Sequence, residues 1–120
     1  MNSAEPLLDL ATLDQLRSLP SDDPRGMLGR VVALFLCDAP VLFDDTRLDI
    51  AEQRLERARD HVHSLRSYAG TVGAVQLQSA LERVERSVRM GDLDNATVHL
   101  AVATEALDRT IAALGVEVSR

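Results

Sequence analysis

Three histidines, His61, His63 and His99, are the residues of this chain best suited to nucleophilic chemistry. A neutral imidazole attacks well near pH 7 because its pKa lies close to that value. Leu55, Ala58, Val62, Leu65, Ala69 and Val72 step by three and four residues, which predicts a helix carrying an apolar stripe. At about 100° per residue the stripe centres near Val62 and Leu65. His63 then falls on one flank of it, together with Arg59, Arg66, Ser67 and Gly70. Guanidinium groups stabilise phosphoryl oxygens through charge-assisted hydrogen bonds. The small Ser67 and Gly70 leave room for a second protein to lower its own active site onto the ring. His61 lies on the opposite flank, so it diverges from His63 and the two do not readily share a metal ion. Most lone histidines on a helix surface have no chemical role, so spacing alone makes His63 a candidate and leaves His99 unplaced.

Competing chemistries find little support. The one cysteine, Cys37, sits in the apolar run VVALFLC and is expected in the core. A single thiol makes no internal disulfide, and no Cys or His cluster has zinc spacing. No P-loop or glycine-rich nucleotide fingerprint is present. Ser/His/Asp catalysis needs a pocket that a small bundle hardly offers, and Thr97 and the many Asp residues read as solvated faces. Neither a metal nor a cofactor is expected. The net charge of −6 argues against nucleic acid and against anionic membranes as partners. All 13 basic residues are Arg. The N-terminus lacks the pattern of a signal peptide, and the run Val31 to Cys37 is too short to span a bilayer, so the expected location is the cytoplasm.

The elements that must hold His63 follow from periodicity and breakers. Residues 1–11 read as a lead-in. A short helix runs to about Leu19 with Thr12 or Asp14 as cap, and Pro20 to Pro24 form a loop. A second helix is predicted from about Arg25 to Arg54, with Leu28, Val31, Phe35, Ala39 and Leu42 inward and a kink or break at Pro40. The histidine helix runs from Leu55 to a stop at Gly73. A fourth spans about Ala74 to Met90, with Leu77, Leu81, Val84 and Val88 inward. Gly91-Asp92 forms a stop and a cap, and a fifth helix runs from about Leu93 to Leu114 and ends at Gly115. Aromatics at 2% suit helices better than sheets. The expected fold is all-α: an antiparallel up-down four-helix bundle over about 25–114 with a short additional N-terminal helix, in a single domain spanning 1–120.

His63-Ser64-Leu65-Arg66-Ser67-Tyr68-Ala69-Gly70-Thr71-Val72-Gly73-Ala74 resembles the signature of histidine-containing phosphotransfer (HPt) domains. That signature is His, any residue, Leu, Lys, Gly or Ser, a run of small residues, then Gly-Ala. Leu13-Asp14 with Leu16, the stretch Val32 to Pro40, Leu81-Glu82 and Met90-Gly91-Asp92 are similar to the family's other helices, in order. The resemblance implies a carrier in a bacterial phosphorelay, without kinase activity of its own. His63 would accept a phosphoryl group on Nε2 from the aspartyl phosphate of a receiver domain and pass it to a second receiver. Its implied partners are a hybrid sensor histidine kinase and a response regulator, and magnesium is expected only in the receiver. Arg66 stands where relatives carry Lys and would stabilise the phosphoryl group. Arg59, Ser67, Tyr68 and Gly70 would line the docking face, with Tyr68 bulkier than usual. Glu85 replaces a frequent Gln near the ring. Either it accepts a hydrogen bond from Nδ1 or it is a solvent-facing charge paired with Arg89. A monomer and a free-standing unit are expected. The alternative is a bundle that binds and modulates a kinase or receiver without carrying phosphate.

Overall fold

The computed structural model describes residues 5–120, which fold into five α-helices, with no strand among the described residues. They are α1 (Leu10–Ser18), α2 (Gly26–Ala51), α3 (Leu55–Thr71), α4 (Val75–Arg89) and α5 (Leu93–Val118). The first four residues of the expected lead-in lie outside the described residues. α2 packs on α3, α3 on α4, α4 on α5 and α5 back on α2, while α1 rests on α2. The predicted stripes supply the core: Phe35 and Ala39 from α2, Val62 and Leu65 from α3, Leu81 and Val84 from α4, and Leu100 and Leu107 from α5 are all buried. Burial of such side chains is worth about 1.5–3 kcal/mol each and is the principal force closing the bundle.

Three inter-helix turns share one construction. Each has a single residue with left-handed backbone: Gln53 (φ 59°), Gly73 (φ 67°) and Gly91 (φ 74°). The next residue's N–H then donates to a carbonyl five positions back, Arg54 to Asp49 at 2.8 Å, Ala74 to Ala69 at 2.8 Å and Asp92 to Ser87 at 2.9 Å. These Schellman-type closures satisfy carbonyls that a helix end would otherwise orphan. Asp92 then caps α5 by accepting from Asn95 N–H, as its position after the glycine predicts. Gly73 also ties down α1, because its carbonyl accepts the Asp9 N–H at 2.7 Å. The other end of α1 is fixed by Arg17, which donates to the Glu117 carboxylate at 2.8 Å. α1 therefore bridges the α3–α4 turn and the end of α5.

Several boundaries differ from the sequence reading for identifiable reasons. α1 starts at Leu10 because Asp9, not Thr12 or Asp14, supplies the cap, accepting from Ala11 N–H. α2 continues through Pro40 without a break. The donor that Pro40 lacks would have met the carbonyl of Leu36, which lies on an exposed part of the helix. α2 ends at Ala51 rather than Arg54, since Gln53 takes the left-handed turn that glycine takes elsewhere. Gly115 does not stop α5, which runs to Val118. Glycine in right-handed backbone weakens a helix without ending it. Cys37 is exposed, not in the core: the apolar run VVALFLC wraps the whole helix, and only Val32 and Phe35 in it are fully buried. α2 contains an 18-residue window of mean hydropathy 1.7, long and apolar enough by composition to cross a bilayer. In this fold that helix packs on α1, α3 and α5 as a core element.

Candidate functional site

α3 turns one flank toward solvent near its middle, and His63 stands there with 72% of its side chain exposed. Val62 and Leu65 on either side of it are buried, which fixes the helix rotation and hence the direction of the ring. Arg59 and Ser67, one turn before and one turn after, are exposed on the same flank. Among the described residues no hydrogen bond restrains the imidazole. Its one ion-pair contact among them is with Glu85 of α4, whose Oε2 lies 4.0 Å from Nδ1, beyond hydrogen-bond reach.

Glu85 makes its close contact elsewhere. One carboxylate oxygen accepts from Nη1 of Arg66, and the pair is largely withdrawn from water, with side chains 31% and 14% exposed for Arg66 and Glu85. Neither the exposed pairing with Arg89 nor a direct hydrogen bond to His63 is present, so both sequence expectations for Glu85 give way to a bridge from α4 to α3. Arg66 has further capacity: Nη2 lies 3.9 Å from Glu82, one turn earlier on α4, and Nε is buried with no hydrogen-bond partner. The Arg66 guanidinium is thus held beside His63 by two carboxylates of one helix face.

Gly70 serves packing rather than open space. A Cβ there would stand 2.9 Å from Nε2 of Gln78, which fills the notch and donates to the Arg66 carbonyl at 3.4 Å. Gln78, and Glu82 as a neighbour of Arg66, were not singled out from sequence. Their signal was the spacing 78, 82, 85 on α4, one face at helical steps opposite Arg66. Tyr68 lies away from this cluster, at the edge of a groove of about 350 Å³ lined mainly by apolar side chains, with Val31, Leu34, Phe35 and Asp38 of α2 and Thr71 of α3. Leu34 and Val41 extend an exposed apolar surface along α2.

The flank opposite His63 carries a second cluster. Asp49, at the end of α2, has only 1% of its side chain exposed, and its Oδ2 lies 2.6 Å from Nδ1 of His61. Its Oδ1 accepts from Nε of Arg54 at 3.0 Å, and Nε of Arg57 stands 3.8 Å away. Burial pushes the Asp49 carboxyl up, but the hydrogen bonds from His61 and Arg54 outweigh it and hold the group below the ordinary value of 3.8. Among the described residues no set of three or more His, Cys, Asp or Glu side chains is placed to hold a metal ion.

A protein-family model described as Hpt domain matches residues 30–115, most of the chain and all of α3 and α4. No curated protein matches the sequence.

Proposed function

The chain belongs to the Hpt domain family, the histidine phosphotransfer modules of two-component signalling, and from that premise we propose that His63 is its phosphoryl acceptor in a phosphorelay. The observation that carries the assignment is the bare, unrestrained imidazole at the middle of α3, the most exposed of its helix's ionisable rings. Nδ1 faces Glu85, so Nε2 is the nitrogen turned toward an incoming receiver. In the transfer step the Nε2 lone pair attacks phosphorus while the bond from phosphorus to the receiver's aspartyl oxygen breaks, and the carboxylate leaves with the electron pair. The reverse step on a second receiver regenerates the imidazole. Such transfers depend on positioning and charge rather than on covalent machinery in both partners.

Arg66 supplies charge to the phosphoryl oxygens, its guanidinium pre-positioned by Glu85 and Glu82. Arg59 and Ser67 form the face onto which the receiver settles, while Gly70 leaves the notch that Gln78 fills. The Tyr68 groove and the apolar side chains of α2 extend that face. Magnesium and the acidic pocket belong to the receiver, and this chain contributes neither cofactor nor kinase activity. The closed circuit of contacts among α2 to α5 and the tight turns support an antiparallel up-down bundle forming one domain. A cytoplasmic monomer that binds neither nucleic acid nor membrane fits the charge of −6 and the need to keep the His63 face open. Incubation with a phosphorylated receiver domain is expected to yield an acid-labile, base-stable phosphoprotein. Equal labelling of a His63→Gln chain would refute the site.

One observation favours a second reading, a receiver- or kinase-binding module that carries no phosphate: Arg66 is already engaged by Glu85. Tight receiver binding without any transfer to the chain would select that reading over the first.

A further inference from the structure

The second histidine of α3 stands in a more fully assembled nucleophile site than the first, and nothing in the relay reading uses it. The Asp49 carboxylate takes the proton side of Nδ1 at 2.6 Å. A carboxylate can only accept there, so the neutral ring carries its proton on Nδ1 and its lone pair on Nε2. Among the described residues Nε2 has no hydrogen-bond partner, and unlike Nε of Arg66 it is not sealed from solvent. Asp49 itself cannot drift: its carboxylate is gripped by Arg54 at 3.0 Å, and its backbone carbonyl accepts the Arg54 N–H at 2.8 Å. Arg57 lies one helical turn before His61 on the same face, exposed, with its Nη groups free of hydrogen bonds among the described residues.

We propose that His61 is a second phosphoryl acceptor, charged by small activated donors of the acyl phosphate or phosphoramidate class. Nε2 attacks phosphorus and an N–P bond forms. The bond from phosphorus to the donor's oxygen or nitrogen breaks, and the carboxylate or amine leaves with the electron pair, the amine taking its proton from water. The ring becomes cationic as it reacts, and the hydrogen-bonded Asp49 carboxylate offsets that charge. Arg57 is placed to meet the incoming oxygens, while Arg54 is shared between Asp49 and Glu52. With His61 only 25% exposed, the ring admits a small donor but not the descending pocket of a receiver domain, which separates its chemistry from that of His63.

The test uses the full chain carrying His63→Gln, treated with phosphoramidate and followed by mass spectrometry with fragmentation that localises each phosphohistidine. His99, half-buried on α5 and without a hydrogen-bond partner among the described residues, serves as the internal reference. His61 is expected to be labelled at least about tenfold faster than His99, the lower end of the roughly tenfold to hundredfold that a carboxylate hydrogen-bonded to a histidine ring contributes. Asp49→Asn in the same chain is expected to bring His61 down to the His99 rate. Labelling of His61 no faster than His99 overturns the proposal, and that comparison stands whether or not the Asn variant folds.

Discussion

At His63 the ring is exposed because its neighbours Val62 and Leu65 are not. Two core side chains lock the helix face, and the imidazole is carried outward with no bond of its own. Its chemistry then depends on Arg66 of its own helix and on Glu85 of α4. Removing Arg66 takes away a charge-assisted contact worth about 1.5–3 kcal/mol, so Arg66→Ala is expected to slow phosphoryl transfer by about tenfold to a hundredfold. Arg66→Lys restores charge without the planar fork and is expected to recover only part of that rate, as read by rapid-quench transfer assays. Glu85→Gln acts differently. It frees Arg66 from its bridge, so the guanidinium can hold the phosphoryl oxygens on His63. The phosphorylated Gln variant is therefore expected to persist longer and pass its phosphoryl group on more slowly, by about tenfold. A shorter lifetime would contradict this role. His63, Arg66 and Ser67 were legible in the sequence because they share one helix and helical spacing is enough to group them. The Glu85–Arg66 bridge was not, because it joins residues of two helices whose relative rotation only the packed core decides.

The elements owe their lengths to their ends. Three turns place one residue each in left-handed backbone, and two of those residues are glycines. At Gly73 a side chain meets a second obstacle: a Cβ would stand 3.0 Å from the Asp9 carbonyl and 3.1 Å from Cβ of Thr12. Gly73→Ala is expected to cost about 1–2 kcal/mol and to loosen α1 from the α3–α4 turn, measurable as a lower urea midpoint. Gln53 occupies the same backbone region at the α2–α3 turn, so Gln53→Gly is expected to stabilise the chain by about 0.5–1 kcal/mol. Opposite signs for two substitutions at equivalent turns test the shared construction. Gly73 and Gly91 were visible as stops since glycine announces that conformation. Gln53 was not, and α2 was drawn too long as a result. Gly115 misled in the other direction, because glycine marks a helix end only where the chain turns, and α5 simply continues. Cys37 was misplaced because a run of apolar residues longer than one turn covers every side of a helix.

Across the whole molecule, Asp49 links the end of α2 to α3 through His61 and Arg54. Its carboxyl is held below its ordinary value, because the hydrogen bonds outweigh the opposing effect of burial. A group whose folded pKa is depressed contributes stability in full above the unfolded value, near pH 3.8, and loses it as pH falls through the lower folded value. Melting temperatures of the parent and of Asp49→Asn are thus expected to differ at pH 5 and to converge toward pH 2, by ~4–8 °C for each kcal/mol lost. A difference that stays constant over that range would remove Asp49 from the account. The relay claim itself is tested most directly by locating the phosphoryl group after transfer from a phosphorylated receiver. Cleavage after Arg59 and Arg66 releases Asp60–Arg66, which holds both His61 and His63, so the fragment must be sequenced residue by residue. A phosphoryl group on His63 is the predicted result; a labelled chain with His63 unmodified would contradict it.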